Sequence, residues 1–289
     1  MIQWKPAQVY NTAMAKRIVV TGGNSGIGFA LCKQLVTEHG CHVYLGSRSL
    51  ERGTDAVNKI KKEKPDALVT LVQIDVASDE SVLAAAKTVK ASLGTEKLYA
   101  LVNNAGTGLA HGTDAKTVLN VNILGPKRMC DAFLPLIDEN AGRIVNVGSG
   151  AGCMYIQSDQ VPDAIKKTLC SFDVTWDQIQ KCLQAGLACD ARGGYGVSKA
   201  ALTAYTQLLA KKHPNIYSSC LTPGFIDTAI VKGWNATKTP EEGTVSMRHC
   251  LFQKLEGNGW FYGSDGVRSP LHFMRNPGDP PYNGVCPYA

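Results

Sequence analysis

The chain has 289 residues, 44% hydrophobic and 19% charged, with a formal net charge of +6. That balance suits a globular α/β chain and excludes a disordered or fibrous one. No apolar run approaches the roughly 20 residues that span a bilayer, and Met1–Ala13 lacks the apolar core of a secretory signal, so a cytoplasmic location without a membrane partner is expected.

Residues 1–15 read as an N-terminal extension, in which Met14 offers a second start. Arg17–Val20 then predicts a short apolar strand running into the glycine-rich turn Thr21–Gly28, and Phe29–Glu38 predicts a helix. His42–Leu45 is the next strand, and a polar helix follows over 50–64. Residues 68–74 form a third strand ending at Asp75, and 81–92 a helix. The fourth strand, 98–102, enters Asn103-Asn104-Ala105-Gly106. A helix over 118–137 precedes the fifth strand, Arg143–Val147, which ends near Ser149.

Residues 153–194 interrupt this rhythm as an insertion. Thr175-Trp-Asp-Gln178 has the form of a capping box. Trp176, Ile179, Leu183 and Leu187 then recur at helical spacing, which predicts an amphipathic helix packed on the domain. A helix runs from Tyr195 to about Lys212, ended by Pro214, and the strand Ile216–Leu221 enters Thr222-Pro223-Gly224. Beyond Gly263 the glycines and prolines predict a wrapping tail over 264–289.

Strand and helix in alternation imply a single doubly wound, Rossmann-like α/β domain over 16–263, with a mainly parallel sheet and helices on both faces. Ligands bind such sheets at the carboxyl ends of the strands. Thr21, Asp75, Asn103 and Ser149 all fall there, which points to one site.

Thr21-Gly22-Gly23-Asn24-Ser25-Gly26-Ile27-Gly28 lies after a strand and before a helix. Missing side chains let backbone amides approach a pyrophosphate, and the helix N-terminus favours its charge. Twenty residues on, where a site preferring NAD carries an acid, stand Arg48 and Arg52. Their planar forks suit a 2′-phosphate, so NADPH/NADP is the expected cofactor. Tyr195 and Lys199 are four apart and share a helix face. A neighbouring ammonium favours the phenolate, which makes Tyr195 a better proton donor.

The ten cysteines carry no metal-ligand spacing, so no metal is expected, and reduced, mostly buried thiols are. The densest basic run, Lys59–Lys64, includes a glutamate and reads as a solvated helix face. With no basic patch interleaved with aromatics, nucleic acid is not an expected partner. His111 and His213 read as surface residues.

Together these residues resemble the short-chain dehydrogenase/reductase family from Lys16 to about Gly263. Thr21-Gly22-x-x-x-Gly26-x-Gly28 is similar to its cofactor motif and Asn103-Asn104-Ala105-Gly106 to its sheet-stabilising motif. Ser149, Tyr195 and Lys199 match its catalytic triad, and Asn122 its fourth member. Pro223-Gly224, with Thr228 beyond, resembles the loop that closes over the nicotinamide. The likeness is strongest to the monomeric, NADPH-dependent carbonyl reductases. It rests on Gly22–Gly28, on Ser47-Arg-Ser-Leu-Glu-Arg-Gly53, on Ala236-Thr-Lys-Thr-Pro-Glu-Glu-Gly243 and on the long stretch between Ser149 and Tyr195. Gly148, where those reductases commonly carry serine, and the longer tail depart from the pattern.

The resemblance implies reduction of a small ketone, aldehyde or quinone with Tyr195 as general acid. Lys199 then lowers the tyrosine pKa and holds the nicotinamide ribose, Ser149 orients the carbonyl, and Asn122 holds a water that relays protons to Lys199. Asp75 and Val76 meet the adenine. The insertion covers a face that other members use to oligomerise, which implies a monomer. Trp234 and Met154–Ile156 are placed to line the substrate side. Two other readings fit the same motifs: an NAD(P)-dependent alcohol or hydroxysteroid dehydrogenase working oxidatively, and a non-catalytic NADPH-binding regulator.

Overall fold

The computed structural model describes residues 15–288, so the N-terminal extension lies outside the described residues but for Ala15. Its chain alternates as expected: β1 (Arg17–Val20), α1 (Gly26–Thr37), β2 (His42–Ser47), α2 (Leu50–Glu63), β3 (Val69–Gln73), α3 (Asp79–Leu93) and β4 (Ala100–Asn103). Then follow α4 (Ala115–Leu119), α5 (Gly125–Phe133), β5 (Arg143–Val147), α6 (Gly150–Gln157), α7 (Asp163–Cys170), α8 (Trp176–Gly186) and α9 (Tyr195–Lys212). The chain closes with β6 (Tyr217–Leu221), α10 (Val245–Phe252), β7 (Trp260–Tyr262) and β8 (Arg268–Ser269). Local chemistry sets several of these starts. Ser49 and Ser78 cap α2 and α3 through their side chains, and Thr175 and Gln178 complete the expected capping box on α8.

The sheet has eight strands in the order β3-β2-β1-β4-β5-β6-β7-β8, parallel except for β8 against β7. Alternate residues face opposite sides. Ile18 and Val20 pack with α1, α2 and α10, whereas Val19 and Leu101 pack with α3, α5 and α9. The strand order reverses between β1 and β4, so their ends, Thr21 and Asn103, flank the crevice where such sheets bind ligands.

Three expectations change. The helix expected over 118–137 is broken: a π-helical turn, Asn120–Leu124, separates α4 from α5, and a 3-10 turn follows at Leu134–Leu136. Extra-residue turns of this kind recur at functional sites. The insertion holds α7 as well as α8, and α6 spans its start; Trp176 packs edge-on to Tyr205 of α9 at 5.4 Å between centroids. The tail expected over 264–289 contains one strand, β8, which pairs with β7 at the edge of the sheet.

Candidate active site

The cradle turn leaves β1 with Gly22 at φ 65° and Gly26 at φ 53°, a left-handed backbone that glycine alone adopts cheaply. Ser25 is the N-cap of α1, yet its side chain makes no capping bond and is exposed. Its hydroxyl and the first amides of α1 are therefore left for an anion. A Cβ built on Gly26 would stand 3.3 Å from Thr228 Cγ2, so the loop after β6 closes directly over the turn. These features fit the pyrophosphate of a nicotinamide dinucleotide.

Thr21 and Asn103 act from behind the cradle. The Thr21 hydroxyl accepts from the Asn104 and Ala105 amides, both at 3.0 Å, and Asn104 Nδ2 donates to the Thr21 carbonyl at 2.9 Å. Asn103 Nδ2 donates to Asn146 Oδ1 at 2.8 Å, and Asn146 Nδ2 to Thr206 Oγ1 of α9 at 2.9 Å. Both side chains are buried in structural bonds, so they brace the turn and tie the sheet to α9. Asn104, part of the expected sheet-stabilising motif, binds across β1 and β4.

Arg48 and Arg52 are exposed at and just beyond the end of β2, and neither joins an ion pair among the described residues. Asp75 is partly buried, and its carboxylate accepts from the Ala77 amide at 3.0 Å, which orders the turn after β3; Val76 beside it is buried.

Tyr195 and Lys199 occupy the first turns of α9 and are buried, with Lys199 Nζ 5.6 Å from the tyrosine ring centroid. The Ser149 hydroxyl neighbours the Tyr195 phenol closely enough to draw its pKa down. Ser149 also caps α6, accepting from the Ala151 amide at 3.1 Å, so it forms the turn between β5 and α6. Lys199 Nζ donates to the Val147 carbonyl at the end of β5 at 2.8 Å. Burial pushes the Tyr195 phenol up to about 12, against the opposing pull of Ser149. It pushes the Lys199 ammonium down to about 8. The expected lowering of the tyrosine by Lys199 is not the leading effect in this environment; desolvation of both groups is.

Asn122 sits in the π-helical turn, and its side chain binds mainly Thr107. Its Nδ2 donates to the Thr107 carbonyl and its Oδ1 accepts the Thr107 amide, both at 2.9 Å. It also donates to Ser198 Oγ at 3.3 Å. Thus Asn122 clamps the loop after β4. The same loop carries Gly106, whose open face lies between Asn122 Oδ1 and Lys199 Nζ, and Gly108, which abuts the Tyr195 ring.

The turn Leu109–His111 packs against Ala229–Val231, so the loops after β4 and β6 meet above the site. Ile230 joins Val118, Ala151 and Tyr195 in a small apolar cluster there. Pro223 is partly buried, and Gly224 turns at φ 95°; Thr222 Oγ1 accepts from the Gly150 amide at 3.2 Å and the Gly224 amide at 3.3 Å. Of the expected pocket residues, Met154 and Trp234 are exposed, but Tyr155 and Ile156 are buried in the core. Tyr155 donates from its hydroxyl to the Gly186 carbonyl at 3.3 Å. His111 is exposed and His213 partly so. The ten cysteines are unbridged, eight of them buried. Among the described residues no cluster could hold a metal and no helix is long and apolar enough to cross a membrane.

Residues 16–177 match the family model for short chain dehydrogenases. The chain is 36% identical to (+)-neomenthol dehydrogenase of Arabidopsis thaliana, over 86% of its own length and 96% of that protein's. Among solved structures it is similar to salutaridine reductase of Papaver somniferum, with 28% identity, TM-score 0.75, and 86% and 99% of the two chains covered. A carbonyl reductase from chicken fatty liver shares the fold at 22% identity and TM-score 0.67, with 89% and 94% covered. On these matches and the motifs they contain, the chain belongs to the short-chain dehydrogenase/reductase family of oxidoreductases.

Proposed function

We infer that this protein is an NADPH-dependent reductase of ketones, aldehydes or quinones, with Tyr195 as general acid. The observation that carries the reading is the buried Tyr195–Lys199 pair, with the partly buried Ser149 beside it, at the carboxyl end of β5. When bound, the dinucleotide supplies hydride, and the substrate oxygen gathers negative charge as it arrives. The Tyr195 hydroxyl is placed to give that oxygen its proton, and Ser149 to donate a hydrogen bond that orients it. Lys199, held by the Val147 carbonyl, keeps a positive charge beneath the phenol and offers its remaining donors to the ribose. Gly22, Asn24, Ser25, Gly26, Ile27 and Gly28 would hold the pyrophosphate, Asp75 and Val76 the adenine side, and Ala105, Gly106, Pro223, Gly224 and Thr228 the nicotinamide side.

Arg48 and Arg52 support NADPH over NADH, since two unpaired guanidiniums stand where the cofactor's second ribose would end. The relatives' names, a dehydrogenase and a reductase, support oxidoreductase chemistry, and the same groups run alcohol oxidation in reverse. Helices α7 and α8 lie over α9, and Lys127 of α5 approaches the Trp176 ring at 5.4 Å, which supports a monomer. The test is NADPH consumption across a panel of quinones, aromatic aldehydes and cyclic ketones. Turnover with at least one class and a marked preference over NADH is expected; no turnover with any of them contradicts the reading.

A further inference from the structure

After β7 the chain makes a short hairpin with β8 and then returns across the carboxyl edge of the sheet. Two contacts fix where it goes. Ser264 lies against Gly224, where an added Cβ would stand 3.2 Å from the serine Cβ. Met274 lies against Gly150, where an added Cβ would stand 2.7 Å from the methionine sulfur. Gly150 directly follows Ser149, and its amide is held by Thr222 in the other strand-end turn. The segment therefore docks on both turns that carry the reactive end of the site.

A buried clasp holds Met274 there. Arg275 is 6% exposed and pairs with the Asp265 carboxylate at the start of the segment. It donates as well to Ser269 Oγ at 2.9 Å and to the Asn276 and Asp279 carbonyls. An arginine with this many fixed partners has no freedom to swing, so the neighbouring residue is placed with it. The Met274 amide donates to Gln157 Oε1 of α6 at 3.2 Å. Met274 itself is only partly buried. One helical turn along α6 from Gly150, on the same face, stands the exposed Met154, and Phe225 and Phe273 are also exposed on these segments.

We propose that Met274, positioned by the Arg275–Asp265 clasp, forms the substrate-side wall beside Ser149 and, with Met154, selects bulky apolar ketones. Methionine suits the task because its unbranched, polarizable chain adapts to an irregular apolar surface. The proposal rests on the reductase reading and adds a specificity-determining residue that the sequence motifs leave undefined.

The experiment compares wild type, Met274→Ala, Met274→Asp and Arg275→Lys with an alkyl-substituted cyclohexanone and with 2,3-butanedione. Trimming an apolar group from the wall of a specificity pocket costs about tenfold in discrimination. For Met274→Ala, kcat/KM should fall about tenfold with the bulky ketone and less than twofold with the small dicarbonyl, and Met274→Asp should fall further. Arg275→Lys, acting through Met274, should raise KM for the bulky ketone while kcat with the dicarbonyl is kept. NADPH affinity by fluorescence and the thermal midpoint of Met274→Ala should match wild type. An unchanged selectivity ratio in Met274→Ala, in an enzyme that turns over both ketones, overturns the proposal alone. Wild-type turnover of quinones or aldehydes but of neither ketone overturns the proposal alone, whereas no turnover across the whole carbonyl panel overturns the reductase reading and the proposal with it.

Discussion

Gly108 lies against the face of Tyr195 so closely that a Cβ built on it would stand 2.7 Å from the ring Cδ2. Its φ of 120° is also one that other residues rarely adopt. The loop after β4 thus bears on the position of the phenol through its ring. Gly108→Ala should push the ring aside and strain the loop, and misplacement of a catalytic group by about 1 Å costs on the order of a hundredfold. A fall in kcat of about ten- to a hundredfold, with NADPH affinity retained, is expected from steady-state kinetics and a binding titration. Wild-type turnover in this variant would show that the loop does not position the tyrosine.

Burial takes the Lys199 ammonium down to about 8, whereas Tyr195 stays protonated until about 12. As pH rises through about 8, Lys199 loses the charge that supports the developing alkoxide, while the proton donor is still intact. The rate of reduction should accordingly hold below that point and decline above it, approaching tenfold per pH unit. A pH profile of kcat/KM checks this, and Lys199→Met should abolish that limb along with most of the activity. A profile rising from pH 8 to 10 would contradict the assignment.

The depressed lysine also bears on stability, with a definite sign. Between about pH 8 and the ordinary lysine range near 10.5, the unfolded chain binds the Lys199 proton and the folded chain does not, so this group makes stability rise with pH there. Below about 8 both states are protonated and the burial cost is constant. Urea unfolding at pH 7.5 and 9.5 should show a smaller loss of stability on alkalinisation in wild type than in Lys199→Met; the reverse order would exclude a depressed lysine.

Arg48 and Arg52 each offer a fork at the far end of the cofactor cleft. Charge-assisted bonds are worth about 1.5–3 kcal/mol apiece. Replacing both by Ala should weaken NADPH binding about a hundredfold and NADH binding by less than threefold, measured by fluorescence titration. Equal losses for both cofactors would remove the 2′-phosphate assignment.

What was legible in the sequence was what local chemistry or a fixed spacing encodes. The apolar runs Arg17–Val20 and Arg143–Val147, the cradle glycines and the capping box at Thr175 each form as their own residues dictate. The misses depend on contacts between distant segments. β7 and β8 are three and two residues long, and only pairing with β6 and with each other makes them strands. The π-helical turn at Asn120–Leu124 looks like ordinary helix in sequence, because its irregularity answers to the clamp between Asn122 and Thr107. Met274 carries no motif, and its place beside Gly150 comes from a clasp between Asp265 and Arg275 that only the fold brings together.

The central claim is that Tyr195 delivers the proton, and Tyr195→Phe tests it most directly because it keeps the ring that Gly108 packs against. Turnover of NADPH with a reactive quinone or dicarbonyl should fall about a thousandfold, as loss of a positioned general acid does, with NADPH affinity and thermal midpoint near wild type. Turnover close to the wild-type rate in that variant would contradict the account.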